Sequence, residues 1–510
     1  MPFFRVRAGY GIDAFSCANI MQNGIPPTIY ANTVRVTNFW KTVDETIFEI
    51  EADNETIAIE WRDALIHAIG KIEQYNPETP ENPDTPPGPL DVWVKVGTWT
   101  KTITESPTVI SGLPSAPKGV IFWGSGLSGN AFGTYNDAGT VVIGISDGTT
   151  HRCLAYACQD NVSTTNCYRS TSARGFHIVD PTATGSGQIK ETATISFDST
   201  SFNMNWSGTT LACTGLYFVF GGTDIQECVV KEQKEGTSGT TVPQIVTYSG
   251  LGNQFDFAFV LNQFTGSASD PPPWPVTGFA NAFHSISVHA GNDNARTWSA
   301  NIMAANAQAS TSNTAARVQR TNRFLHTLGS ITNARQQAAE WDGWTSDGYK
   351  LKWIDLPATN LFWTGLFVRG GKWDASEYLQ PTSNGTVTAL VQDSTSEIRG
   401  IMGFSVNNID IPGGEGGTAP SKFAVGAQDS AGNKGCLAYA GNTNTSNTEE
   451  STVMVSNKFM KHITTATTAS SSTTNAECTI SNMTTDGQFT ANYTTTDSTA
   501  RQVLWFSLSA

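Results

Sequence analysis

The sequence predicts a mainly β protein, in which a small N-terminal α+β docking domain precedes three tandem antiparallel β-sandwich modules of the jelly-roll or lectin-like kind. Three observations predict it. First, a closing pattern recurs. Phe202-Asn203-Met204-Asn205-Trp206 leads to Leu216-Tyr217-Phe218-Val219-Phe220-Gly221-Gly222, and Tyr349-Lys350-Leu351-Lys352-Trp353 leads to Leu366-Phe367-Val368-Arg369-Gly370-Gly371. Phe489-Thr490-Ala491-Asn492-Tyr493 then leads to Val503-Leu504-Trp505-Phe506-Ser507-Leu508. The copies lie about 140 residues apart, a domain-sized period. Second, the chain beyond residue 90 breaks into short apolar or alternating segments, such as 119–123, 140–145 and 283–289, divided by Gly, Asn, Asp and Ser. A helical pattern there is confined mainly to Arg335–Trp341. Third, 510 residues exceed one core, and about 100 to 200 residues per domain gives three or four.

Residues 1–75 hold the docking domain. Thr46 to Glu51 alternates like a strand, and Trp61, Leu65, Ile69 and Ile72 recur at helical spacing from Glu55 to Gln74, with Asn54 as N-cap. A linker follows at 76–89, where Pro77, Pro80, Pro83 and Pro86 fall every third residue. That spacing suits a polyproline II rod of roughly 40 Å, and an ordinary disordered spacer fits the composition equally well. The modules span 90–222, 223–371 and 372–510. Each has a hairpin turn at the same place: Ser146-Asp147-Gly148-Thr149, Gly291-Asn292-Asp293-Asn294 and Gln428-Asp429-Ser430-Ala431-Gly432-Asn433. A polar tract follows each turn, at 163–166, 310–313 and 444–447. Cys153-Leu154-Ala155-Tyr156-Ala157 returns as Cys436-Leu437-Ala438-Tyr439-Ala440, but the second copy lacks this pentapeptide. Being nearly continuous in apolar residues, the closing strands are expected to be central and to fill three separate interiors.

Composition excludes several functions. Charged residues make up 15% and the net charge is -14, without runs of Lys or Arg, so neither a nucleic-acid duplex nor an anionic membrane surface is an expected partner. No apolar run approaches the roughly 18 to 20 residues of a spanning helix, and the N-terminus reads as no secretory signal. Of the eight cysteines, none lies in copy two after Cys228, so buried free thiols fit better than a disulfide framework.

No metal-binding, nucleotide-binding or nucleophile motif is complete, so no cofactor is expected and the protein reads as non-enzymatic. His284 and His289 stand five apart in an alternating segment and should point to opposite faces. Gly124 to Gly129 has phosphate-loop glycine spacing, but Asn130 replaces the lysine, which leaves a flexible loop. Asp147, Asp293 and Asp429 offer one carboxylate per turn, a thin ligand set for calcium. The best carboxylate cluster is Glu340-Trp341-Asp342-Gly343-Trp344-Thr345-Ser346-Asp347-Gly348. Two acids across a cleft would suit glycoside hydrolysis and the tryptophans could stack on a sugar, while a turn with tryptophans packed beneath it accounts for the same residues. Candidate ligand contacts are therefore Trp274, in the stiff Pro271-Pro272-Pro273-Trp274-Pro275 segment, with Asp342, Trp344 and Asp347.

A docking domain, a proline-rich neck and tandem Ser/Thr/Gly/Asn-rich sandwiches together resemble tailed-bacteriophage virion structural proteins. The motifs that carry the resemblance are Gly-Val-Ile-Phe-Trp at 119–123, Asp-Asn-x-Ser-Thr-x-Asn at 160–166 and the ending from Phe197 to Gly222. The resemblance implies a virion component of the tail, baseplate or fibre, assembled in the host cytoplasm. It would be a homo-oligomer joined to other virion proteins through residues 1–75, with module loops as candidate contacts to host-surface glycans. A capsid decoration or head-fibre protein and a glycan depolymerase are the alternatives.

Overall fold

The computed structural model describes residues 91–510 except 181–187, 235–241, 266–281, 292–293, 306, 313, 329–334, 357–361, 392–395, 407–416, 419–420, 443–444, 465–471 and 484–486. Within 1–90 it describes three strands. The chain divides into two units, Met1–Gly88 and Pro89–Ala510. In the first, β1 (Phe3–Gly9), β2 (Val34–Lys41) and β3 (Glu45–Ala52) form an antiparallel sheet in the order β1-β3-β2. β3 contains the strand expected at Thr46 to Glu51. The expected helix after Asn54 and the linker at 76–89 lie outside the described residues.

The second unit is built from three sets of strands. The first contains β4 (Trp93–Lys101), β5 (Thr108–Ser111), β6 (Pro117–Gly124), β7 (Tyr135–Asn136), β8 (Gly139–Ser146), β9 (His151–Cys158), β10 (Cys167–Ser172), β11 (Phe176–Asp180), β12 (Gln188–Phe197), β13 (Ser201–Trp206) and β14 (Cys213–Gly221). The second contains β15 (Ile225–Lys234), β16 (Gln244–Tyr248), β17 (Phe257–Thr265), β18 (Ala282–Ala290), β19 (Thr297–Ala304), β20 (Ala315–Thr321), β21 (Leu325–Leu328), β22 (Arg335–Thr345), β23 (Gly348–Asp355) and β24 (Phe362–Gly370). The third contains β25 (Lys372–Leu379), β26 (Gly385–Leu390), β27 (Ile398–Ser405), β28 (Gly417–Thr418), β29 (Ser421–Asp429), β30 (Lys434–Gly441), β31 (Glu450–Val455), β32 (Met460–Ile463), β33 (Thr474–Ser481), β34 (Gln488–Thr495) and β35 (Gln502–Ser509).

One plan serves all three. The large sheets run β4-β14-β6-β8-β9-β10, β15-β24-β17-β18-β19-β20 and β25-β35-β27-β29-β30-β31. The four-stranded sheets run β5-β13-β12-β11, β16-β23-β22-β21 and β26-β34-β33-β32. Each pair packs face to face around its own apolar interior, giving three antiparallel sandwiches. Residues 335–341 belong to strand β22 and not to a helix. Pairing with β21 and β23 overrides the local pattern, and a bulge between Ala338 and Ala339 puts both alanines inside.

The interiors are not three but four. The other faces of the three large sheets meet in a shared core. Each closing strand divides its side chains between the two environments: Phe218 and Phe220 face the shared core while Tyr217 and Val219 face their own sandwich. Leu366 and Val368 split likewise from Phe367, and Leu504 and Phe506 from Val503 and Trp505. A strand buried on both faces must be apolar at every position, which is why these runs are nearly continuous. Phe506 is the hub, with ring contacts to Phe218 of sandwich 1, Phe257 and Phe259 of sandwich 2, and Trp373 and Phe404 of sandwich 3.

The sandwiches also exchange strands at two junctions. β7 of sandwich 1 extends the large sheet of sandwich 3 through Thr452 and Val453, and β28 of sandwich 3 extends that of sandwich 2 through Ala316 and Arg317. The matching connection of sandwich 2, at 266–281, lies outside the described residues. The polar tracts are laced together. Thr165 N donates to Gln308 O, Ser310 N to Ser163 O, Thr445 N to Ser310 O and Thr448 N to Val162 O. Backbone groups of irregular segments need partners, and here each tract supplies the next.

Candidate functional site

The carboxylate cluster forms the β22–β23 hairpin of sandwich 2. Asp347 sits at its exposed tip, where Oδ2 accepts from Gly250 N at 2.9 Å and Oδ1 from Gly252 N at 2.7 Å. These two backbone donors hold its carboxyl below the usual range. It is thus an ionised cap that organises the 249–252 loop. Glu340 is paired with Arg323 and Lys352. Trp344 is half-buried: its Nε1 donates to Gly291 O at 2.8 Å and its ring meets Trp341 edge-on at 4.5 Å. Asp342 is exposed. Trp274 lies outside the described residues, so the structure brings together three of the four candidates. The corresponding acid of sandwich 1, Asp198, accepts from Asn203 and Ser201 across its own turn, and that of sandwich 3, Asp486, lies outside the described residues.

The hairpin aspartates join neighbouring sandwiches. Asp147 Oδ1 accepts from Thr149 N and Thr150 N within its turn, and Oδ2 accepts from Val230 N of β15 at 2.8 Å. Asp429 accepts from Asn433 twice and from Val96 N of β4 at 2.9 Å. Asp293 lies outside the described residues; beside it, Arg296 pairs with Asp374 of β25 at 3.6 Å. Both described carboxylates accept from their own turn and from a backbone donor of the neighbouring sandwich, and among the described residues no three His, Cys, Asp or Glu side chains converge as metal ligands.

His284 and His289 do face opposite ways. His289 stacks on Trp341 at 3.7 Å and bonds to Thr297 and Gly291, inside sandwich 2. His284 meets Phe423 of sandwich 3. Burial lowers both to about 3, so both are neutral. Asn130 binds Ser125 Oγ through Nδ2 and accepts from Thr214 N, tying down the 124–129 loop that the sequence presents as flexible. Seven cysteines are free thiols and six of these are buried; Cys17 lies outside the described residues.

One cluster escaped the sequence reading. Tyr156 and Tyr439, from the two copies of the repeated pentapeptide, meet hydroxyl to hydroxyl at 2.8 Å, and Tyr439 donates to Glu450 Oε2 at 2.8 Å. Burial pushes the Glu450 carboxyl well above its ordinary range, and it also raises Asp160, which accepts from Glu450 N. The signal was the repetition itself, since both tyrosines fall at one position of β9 and β30. Ile302 of β19 takes that place in sandwich 2, which explains why the second copy lacks the pentapeptide.

A shallow groove of about 600 Å³ lies on sandwich 1, walled by Asp137, Asp180, Lys190 and Thr210. No helix among the described residues is long and apolar enough to cross a membrane. No protein-family model matches the chain, and the curated proteins hold no match to it.

Proposed function

We propose that this protein is a non-enzymatic structural component of a bacteriophage virion, in the tail, baseplate or fibre, joined to the particle through residues 1–75. One observation carries the reading: three sandwiches are locked around a shared interior by exchanged strands and cross-sandwich hydrogen bonds. Such a block resists local opening, as a particle component exposed to the environment must, and it spends its turn acids and polar tracts on assembly rather than chemistry. Capsid decoration or head-fibre placement uses the same properties. Further copies in a homo-oligomer would meet through other surfaces, because the large sheets are occupied with one another. Exposed Asp342, with Asp347 at the hairpin tip and Trp274, remains the candidate contact to a host-surface glycan.

Imaging of the intact particle with the labelled protein tests the assignment, since head and tail positions differ unmistakably. Deleting 1–89 should abolish incorporation while leaving the sandwiches folded, and a truncated chain that still joins particles removes the docking role. Reducing-end release from host polysaccharide that disappears in Asp342→Asn or Asp347→Asn would instead make the protein a depolymerase.

A further inference from the structure

Each polar tract leaves and re-enters its large sheet through one pair of facing residues. These pairs are Cys158 with Cys167 in sandwich 1, Ala304 with Ala315 in sandwich 2 and Gly441 with Glu450 in sandwich 3. The next residues out bond alike: Gln159 N donates to Asn166 O, Ala305 N to Thr314 O and Asn442 N to Glu449 O. Hydrogen-bonded and non-hydrogen-bonded pairs alternate along antiparallel strands. The pair just inside each of these bonds is therefore a non-hydrogen-bonded one, with Cα atoms roughly 4.5 Å apart and side chains at their closest approach. Sandwich 2 fills this place with two alanines, sandwich 3 with a glycine and the Glu450 that meets Tyr439, and sandwich 1 with two thiols.

The Sγ atoms of Cys158 and Cys167 stand 2.7 Å apart. A non-hydrogen-bonded pair also has a Cα separation inside the roughly 4.4 to 6.8 Å that a disulfide spans. Both side chains are buried and face the shared core beside Tyr156. Among the described residues no other cysteine faces a cysteine across a strand pair. The segment between these two is the tract that reaches both others. Thr165 N donates to Gln308 O and Thr165 Oγ1 to Ala305 O of sandwich 2, while Asn161 N donates to Thr448 O and Val162 O accepts from Thr448 N of sandwich 3.

We propose that Cys158 and Cys167 are an oxidisable pair that closes into a disulfide across the base of the 159–166 tract, fastening covalently the segment on which the three sandwiches meet. The inference is independent of the particle assignment. The oxidant is a small-molecule disulfide of the glutathione class. One cysteine thiolate attacks it and expels a thiolate, and the other cysteine attacks the resulting mixed disulfide and expels the second. The protein gives up two electrons and two protons, and the small disulfide becomes two thiols. Burial pushes the Cys158 thiol up, so the exchange proceeds while the tract is open, during folding or in a transient opening. A reducing compartment keeps the pair as the dithiol. Once formed, the bond restrains the open tract, so that 159–166 stays against residues 308 and 448.

The test makes the full chain in cells with an oxidising cytoplasm, blocks free thiols with iodoacetamide in denaturant and digests the chain without reductant. The expected result is a peptide joining Cys158 to Cys167, with the other six of the eight cysteines alkylated. Reduction of the bond in the native protein, followed by mass, should lower the melting temperature by about 2 to 4 °C. The Cys158→Ala, Cys167→Ala double variant copies the alanine pair with which sandwich 2 already folds, and should melt at one temperature with and without reductant. Alkylation of both Cys158 and Cys167, a link from either to another cysteine, a linked protein whose melting temperature is unmoved by reduction, or an equal response of the double variant would each overturn the proposal.

Discussion

Sandwiches 1 and 2 share a strand plan but fill equivalent interior positions of their second and third large-sheet core strands differently. Inside sandwich 1, the paired positions of β8 and β9 are Val142 with Ala155 and Gly144 with Cys153; sandwich 3 has Ala424 with Ala438 and Gly426 with Cys436. Sandwich 2 has Ser285 with Asn301 and Ser287 with Ser299. Facing the shared core, Ile302 stands where Tyr156 and Tyr439 stand, and its cross-strand partner is His284 where theirs are Val141 and Phe423. The glycines show what this does to packing. A Cβ on Gly144 would lie 1.8 Å from Gly175 O, and one on Gly426 1.7 Å from Phe459 O, so the four-stranded sheet presses directly on the large one there. Ser287 fills that space in sandwich 2, where a polar seam forms instead: Asn262 and Thr327 donate to Gln337 Oε1, and Ser285 to His326 O. Close approach and internal polarity are thus alternative solutions to one position.

The largest effect should come from forcing one solution onto the other. Gly144→Ser or Gly426→Ser puts a side chain against backbone that cannot rotate away, and should cost about 3 kcal/mol or more in denaturant unfolding. A shift within about 0.5 kcal/mol would mean that the sheets separate freely and the contrast is accidental. Next comes the seam itself. Gln337→Leu strands the Asn262 and Thr327 donors in the interior and should cost about 2 kcal/mol, since unmade buried hydrogen bonds carry their full desolvation penalty. An unchanged midpoint would show the network to be dispensable.

A pH titration then separates the outer faces. Glu450 has a raised pKa when folded, so its contribution is fully present below its unfolded value near 4.5 and fades as pH rises through the folded value. The histidines act oppositely: His177, His284, His289 and His462 drop to about 3, so their contribution holds above 6.5 and is lost as pH falls. Subtracting Glu450→Gln from wild type at each pH cancels the histidines. The difference should move in the variant's favour as pH rises, by at most about 1.4 kcal/mol per unit. A flat difference from pH 4 to 9 would place an ionised carboxylate at the seam.

What the sequence made legible follows from these positions. The tripled closing pattern and the turns at Asp147 and Asp429 were readable because periodicity and turn chemistry are local. The shared core was not read: unbroken apolarity in 216–220 marked the closing strand as central, but three separate interiors were expected because nothing local says that its second face belongs to other sandwiches. Strand exchange at Tyr135 and Gly417 left no mark, because two residues pairing with a strand hundreds of positions away carry no pattern of their own. The hairpin candidates were legible as a cluster, but the hydrogen bonds of Asp347 to Gly250 and Gly252 depend on a loop 95 to 97 residues earlier.

The smallest expected change tests whether the seam is polar by need or by tolerance. Ser299 is buried and its hydroxyl meets no protein partner, as is true of Ser287 opposite it. Removing a hydroxyl that makes no bond returns its desolvation cost, whereas the lost atom leaves a space too small to matter. Ser299→Ala should therefore unfold within about 0.5 kcal/mol of wild type, on the stable side if anywhere. Ser285→Ala is the matched control, because that hydroxyl does bond His326 O at 3.2 Å and its loss should cost about 1 kcal/mol. If the two alanines cost the same, the Ser299 hydroxyl is satisfied by an ordered water, and sandwich 2 carries hydration inside it where sandwiches 1 and 3 have sheet pressed on sheet.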